Sequence, residues 1–251
     1  RPELTQAVDA SLGAWKAAPH APLPPPTPPV AVRSARPRLV LVDRSDAPQA
    51  VIAVVRDGVA ATDPRAPLLD LINSALGGSF TSRLNQDLRE DHGWTYGAGS
   101  GFAETRAQGW FTAQAAVVTD ATGPALKEML AQMSKMADGG LTPAELEKVK
   151  AQDRAELVQN YETVNGVAGR LAGLAMMSLP ADFDARESRA RQAATPAALQ
   201  ALDRAVDPGP ATIVVVGPAS KVLPQLAAIG LTNPALYDPE GSPRKLAGAT
   251  R

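Results

Sequence analysis

Leu76-Gly77-Gly78-Ser79-Phe80-Thr81-Ser82-Arg83-Leu84-Asn85-Gln86-Asp87-Leu88-Arg89-Glu90-Asp91-His92-Gly93-Trp94-Thr95-Tyr96-Gly97-Ala98 is the stretch that decides the fold. It opens where a helix has to stop. Residues 64–76 place Leu68, Leu69, Ile72 and Leu76 on one side, and Gly77-Gly78 ends that run. Ser79 or Ser82 is placed to cap a short helix reaching Asp91, on which Leu84 and Leu88 form an apolar i,i+4 pair. A Gly-rich strand over residues 94–103 follows.

Upstream of this stretch lie two β-rich runs. They are Leu39-Val40-Leu41-Val42 and Val51-Ile52-Ala53-Val54-Val55, the second ended by Asp57-Gly58. Downstream, the turn from Glu104 to Gln108 leads into a strand over residues 107–118. There Phe111, Ala113, Ala115 and Val117 alternate with Trp110, Thr112, Gln114 and Ala116, so one face is the more apolar. Helices are predicted over residues 121–138, stopped by Gly139-Gly140, and over 142–160. The second opens on a capping box, Thr142-Pro143-Ala144-Glu145, with Pro at the first helical position. Further helices over 163–179 and 182–192, and one from Thr195-Pro196 to Val206, precede a buried-type strand, Ile213-Val214-Val215-Val216, and a helix from Ser220 to Ala228. The order β-β-α-α-β-β-α-α-α-α-α-β-α points to an α+β fold. It is a two-layer sandwich of a mostly antiparallel sheet with helices on one face.

The ends read differently. Leu4, Val8 and Leu12 share one face of a helix over residues 3–15. Seven prolines between positions 19 and 29 then make a segment that cannot donate backbone hydrogen bonds and favours an extended conformation. A lone helix before such a segment is not stable alone. We therefore expect residues 1–15 to be the terminal helix of a preceding domain, 16–36 a linker, 37–238 the main domain and 239–251 a flexible polar tail.

Composition excludes several functions. The 251 residues carry a net charge of -1 with no long basic run, which disfavours nucleic-acid binding. No apolar stretch approaches the ~20 residues that span a bilayer. The chain has no cysteine, which removes disulfides, thiolate metal sites and a cysteine nucleophile. Its Ala, Arg and Pro content has a bacterial character, and a periplasmic location is favoured over a cytoplasmic one.

Metal chemistry within the chain is also disfavoured. A hydrolytic zinc site needs about three nitrogen or oxygen ligands and an open position. The only histidines are His20, in the proline segment, and His92, and neither H-E-x-x-H nor H-x-x-E-H occurs. Asp87, Glu90, Asp91 and His92 cluster in sequence, but they point in different directions on a helix and read as a solvated charged end. There is no G-x-S-x-G elbow. Gly97-Ala98-Gly99-Ser100-Gly101 is not a phosphate loop, since no helix follows it, but its glycines allow another backbone to approach closely.

The stretch from Leu76 to Ala98 resembles the signature of the C-terminal, zinc-less domain of M16 (insulinase-like, inverted-zincin) peptidases, most like the bacterial M16B type. The matching pattern is LGG-S-F-x-SRL-x-x-x-LRE-x-x-G-x-x-Y. The resemblance extends to Ala47-Pro48-Gln49, Gly109-Trp110-Phe111, Leu141-Thr142-Pro143-Ala144-Glu145-Leu146 and Val214-Val215-Val216-Gly217, covering residues 38–238. Leu12-Gly13-Ala14-Trp15 is similar to the end of the preceding M16 domain.

The resemblance implies the LuxS/MPP-like metallohydrolase fold and a division of labour. One domain or subunit carries H-x-x-E-H and zinc. The other supplies an Arg and a Tyr seven positions apart, which here are Arg89 and Tyr96. A fixed cation with several donors and a phenolic hydroxyl suit a developing oxyanion, where each donor is worth ~3 kcal/mol. Phe80, a core or pocket aromatic, is a substrate-binding candidate. So are Gly97, Gly99 and Ser100, on a strand to which an extended peptide can add. Arg83 is expected to be structural and to bond backbone carbonyls. The chain therefore reads as the non-zinc half of a metalloendopeptidase. It holds no cofactor itself and needs a zinc-bearing M16 partner domain or subunit and a peptide substrate, and alone it is expected to be inactive. The competing expectation is a catalytically inactive structural, assembly or peptide-binding subunit.

Overall fold

The strands form where β-branched residues run together, and the computed structural model joins them into one seven-stranded sheet. It describes residues 2–16 and 38–244. In chain order these are α1 (Pro2–Leu12), β1 (Arg38–Asp43), β2 (Gln49–Asp57), α2 (Ala66–Asn73), α3 (Arg83–Asn85), β3 (Thr95–Ala103) and β4 (Trp110–Val118). Then come α4 (Thr122–Gly139), α5 (Pro143–Tyr161), α6 (Val164–Met176), α7 (Phe183–Ala193), α8 (Pro196–Gln200), β5 (Thr212–Gly217), α9 (Ala219–Ala228), β6 (Ala235–Tyr237) and β7 (Pro243–Arg244).

The spatial order is β3-β4-β2-β5-β1-β6-β7. β1 runs parallel to β5 and to β6, and the other four pairings are antiparallel. The α+β sandwich read from the sequence is the observed fold. Ile52 and Val54 of β2, Leu39 and Leu41 of β1, Ile213 and Val215 of β5 and Phe111 of β4 point to one buried face. α4 lies across β2 and β4 on that face and fills it with Leu126, Met129, Met133 and Met136, a stripe of helical period. On the opposite face Val51, Trp110 and Val118 are exposed.

Helix boundaries follow the local chemistry. Thr142 accepts from the backbone of Glu145 while Glu145 accepts from the backbone of Thr142, which completes the capping box at the start of α5. Gly140 ends α4 at φ +64°, a conformation that an L side chain rarely adopts.

The structure adds to the sequence reading at four points. The Leu-Gly-Gly segment is not a simple stop: Ser74–Gly78 forms a π-helical turn that carries α2 onward to Gly78. The chain is also ordered past residue 238, because Pro243 and Arg244 pair with β6 and Asp238 donates its backbone amide to Ser242. Strand β6 itself has too short an apolar run to stand out in the sequence. Finally, α1 is helical as expected but has no buried residue, and Leu4, Val8, Leu12 and Trp15 are all exposed. The expected linker from residue 17 on, and residues 245–251 of the tail, lie outside the described residues.

Candidate functional site

The site is built where the helix after the Leu-Gly-Gly turn meets edge strand β3. Ser82 has the extended backbone of an N-cap residue, but its hydroxyl makes no capping bond and is buried without a partner. α3 then widens into a π-helical segment, Gln86–Asp91, that carries Arg89 near its end. Gly93, at φ +64°, turns the chain out of the helix. The amides of Gly93 and Trp94 bond back to the carbonyls of Arg89 and Leu88, both at 3.0 Å. This return lets Tyr96 follow Arg89 by seven positions on the adjoining strand.

The helix and strand are held close. Gly77 lies so near β3 that a Cβ there would stand 2.6 Å from the amide nitrogen of Ser100. Ser100 Oγ donates to Asn73 Oδ1 at 2.7 Å, so its hydroxyl ties β3 to the end of α2. Asn85 Oδ1 accepts the backbone amide of Ala98 at 2.9 Å.

Of the residues singled out in the sequence, Arg89 and Phe80 come together: the guanidinium carbon lies 4.2 Å from the ring centroid. The Arg89 side chain is 31% exposed, and Nη1 lies 3.3 Å from a Glu90 carboxylate oxygen without hydrogen-bond geometry. Phe80 is 68% exposed and is therefore not a core residue; it is a platform under the cation. Tyr96 is 93% exposed, with its phenol in solvent. Gly97, also exposed, sits beside it in a bulge, where the register passes from Thr95 opposite Val117 to Ala98 opposite Ala115. Gly99 is half-buried, with the Gly77 carbonyl near the position its Cβ would take. Arg83 is structural, as expected. It makes a two-pronged ion pair with Glu145 and donates to the Gly140 carbonyl at 2.8 Å.

The charged helix end is not simply solvated. Asp87 is buried and accepts from Gln132 of α4, while His92 Nδ1 lies 3.0 Å from Asp87 Oδ1. His92 stacks on Trp94 at 4.0 Å. Its bond to the Asp87 carbonyl, with the nearby carboxylates, raises its pKa above the ordinary value. Gln132 is 45 positions from Asp87, so the pairing has no local sequence signal. Among the described residues no group of three or more His, Cys, Asp and Glu side chains is placed to hold a metal ion. His92 is the one histidine among the described residues.

A cavity of about 760 Å³ lies elsewhere, among α2, α5, α6 and α7, and is lined by neither Arg89 nor Tyr96. Asp70, Glu104, Glu156 and Glu187 face it with Arg170 and Arg191. Arg170 is paired to Asp184, and Arg191 to Asp153 at 2.5 Å and to Asp70 at 3.3 Å. Burial, with neighbouring carboxylates, pushes Asp70 up to about 6 and Glu104 up to about 7. The sequence reading took Glu104 only as the start of a turn.

No helix among the described residues is long and apolar enough to cross a membrane. An uncharacterised zinc protease of Streptomyces coelicolor is 30% identical over 126 residues, 49% of this chain and 27% of that protein. The structure resembles the peptidase M16 inactive domain from Pseudomonas fluorescens (TM-score 0.71, 23% identity, 87% of this chain and 51% of that one). It also resembles a protease from Helicobacter pylori (TM-score 0.74, 18% identity, 86% and 52%). This chain thus spans about a quarter of the curated relative and about half of each solved chain. The sequence model of the peptidase M16 inactive domain matches residues 2–152, well over half of the chain, and the protein belongs to that family.

Proposed function

We propose that this chain is the substrate-gripping half of an M16 zinc metalloendopeptidase. It holds an extended peptide and stabilises the oxyanion formed when the scissile carbonyl is attacked. Zinc, which polarises the reacting groups, belongs to a complementary M16 half bearing H-x-x-E-H, in the same full-length protein or in a partner subunit. Residues 2–12 are part of the same proposal, as the last helix of that preceding half; their uncovered apolar side chains fit a helix whose packing partner is another domain.

The observation that carries the reading is the state of Arg89. Its side chain is 31% exposed and its guanidinium is seated on Phe80, while Nη1 is buried, makes no hydrogen bond and lies 3.3 Å from a Glu90 carboxylate oxygen. A cation held in place in this way is what a developing oxyanion needs, since little reorganises as charge appears. Tyr96 adds an exposed hydroxyl on the adjoining strand. Phe80, Gly97, Gly99 and Ser100 would contact substrate as the platform and the open strand edge. Because Ser100 spends its hydroxyl proton on Asn73, its side chain has no donor left for a peptide.

The test combines the chain with its zinc-bearing half and follows cleavage of a quenched peptide. Neither half alone should cleave, and the pair should. Arg89→Ala and Tyr96→Phe should each lower turnover by ~10²-fold while peptide binding persists. Unchanged turnover in both variants overturns the reading. A pair that assembles and never cleaves a peptide leaves the chain a structural or peptide-binding subunit.

A further inference from the structure

Asn85 joins the helix that carries Arg89 to the strand that carries Tyr96. It is 7% exposed, and both ends of its amide are used. Nδ2 donates to the Ser79 carbonyl at 3.1 Å, and Oδ1 accepts the Ala98 amide at 2.9 Å. The Ser79 carbonyl can only accept and the Ala98 amide can only donate, so the amide group has one possible orientation. Asn85 stands four positions before Arg89 on the helix, and Ala98 stands two after Tyr96. Between Thr95 and Ala98 the ladder is interrupted, and side chains replace the missing backbone partners. Thr95 Oγ1 donates to the Ala116 carbonyl at 2.6 Å and accepts the Gly97 amide at 3.1 Å, while Asn85 takes the amide of Ala98.

A bulge re-aims the side chain within it, and an unsupported bulge can slip. Here the support comes from the Arg89 helix itself. We propose that Asn85 is a positioning residue. By bonding Ala98 it fixes the bulge at Tyr96–Gly97, and with it the placement of the phenol relative to the Arg89 guanidinium. This proposal rests on the reading that Arg89 and Tyr96 act together on the scissile carbonyl. It also means that the Ala98 amide is not offered to a bound peptide.

The test is a double-mutant cycle in the chain assembled with its zinc-bearing half, with amide exchange measured on the chain itself. Asn85→Leu keeps the bulk and removes both hydrogen bonds. It should lower kcat by about tenfold or more with KM little changed, as a misplaced catalytic group does. In a Tyr96→Phe background the same substitution should cost less than about twofold, because the hydroxyl it positions is already gone. Exchange at residues 96–98 should quicken in Asn85→Leu. Asn85→Ala, which removes both hydrogen bonds without adding an apolar branch, should quicken exchange at 96–98 and lower kcat in the same way; it carries the test if the Leu variant does not fold.

Independent, additive losses in the double mutant overturn the proposal. So does unaltered exchange at 96–98 in Asn85→Leu and Asn85→Ala, or turnover in Asn85→Ala that stays at the parent's level. If Tyr96→Phe lowers turnover and Asn85→Leu does not, only the role of Asn85 falls. If Tyr96→Phe alone changes nothing, the role of the phenol falls, and that of Asn85 with it.

Discussion

The guanidinium carbon of Arg89 rests 4.2 Å from the centre of the Phe80 ring. Both side chains come from the segment that follows the Leu-Gly-Gly turn, and neither is in the core. The contact has a measurable consequence under the proposed function. A cation over an aromatic face at an exposed site is held by ~0.5–1 kcal/mol. Phe80→Leu should therefore lower turnover of the assembled peptidase by about two- to fivefold, the kinetic equivalent of that energy. Arg89→Lys should cost more, because an ammonium on a flexible stem loses the planar fork and the stacking together. Steady-state kinetics on a quenched peptide measure both.

Gly77 makes a stability prediction that does not depend on function. A Cβ at this position would stand 2.6 Å from the Ser100 amide nitrogen and 2.8 Å from Leu84 Cδ1. The first of these is backbone and cannot step aside cheaply. Gly77→Ala should destabilise the fold by ~1–3 kcal/mol, lowering Tm by about 2–4 °C for each kcal/mol in a chain of this size. Gly101→Ala on the same strand is the control. Nothing lies within 4 Å of its Cβ position, so its Tm should hardly move. Thermal melts followed by circular dichroism separate the two.

These glycines show which parts of the molecule could be read in advance. Helices and strands with a clear period or a cap, such as α5 with its Thr142–Glu145 box and β4 with Phe111 facing inward, fell where local chemistry put them. The long ordered pattern around Arg89 and Tyr96 picked out the segment that carries the candidate site. Contacts between distant segments had no such signal. In sequence Asn85 is one more polar residue on a helix, and its bond to Ala98, 13 positions away, has no local signal. Asp87 reads as surface in sequence because its partner Gln132 lies on α4. The π-helical segments at Ser74–Gly78 and Gln86–Asp91 lie against β3 and have no distinct residue pattern.

Glu145 should make the fold sensitive to acid. Its carboxylate takes both prongs of Arg83 and also caps the backbone of Thr142, and the Arg83 hydrogen bonds hold it down at about 2. The folded value lies below the unfolded one, so this group contributes stability above pH 4.5 that is lost as pH falls toward 2. Glu145→Gln should be less stable than the parent at pH 7, and the gap should close across that window. Urea midpoints at pH 7, 4 and 2.5 test the sign.

The cavity acids should act in the opposite direction. Glu104, through burial and the nearby Asp70, is raised from 4.5 to about 7, and Asp70 from 3.8 to about 6. Between these unfolded and folded values the folded chain binds more protons than the unfolded one. Stability from this pair therefore falls as pH rises from about 4 to 7 and is flat above. Replacing Glu104 with Gln removes a charge that the fold accommodates poorly. Glu104→Gln should melt higher than the parent at pH 8 and at about the same temperature at pH 4, where both side chains are neutral. The gain should be no more than a few degrees, because the group is only partly buried and solvent screens it. An equal gain at both pH values would mean that the substitution acts through packing. A loss at pH 8 would mean that ionised Glu104 is paired, to Arg170 or Arg191, more strongly than its neighbours repel it.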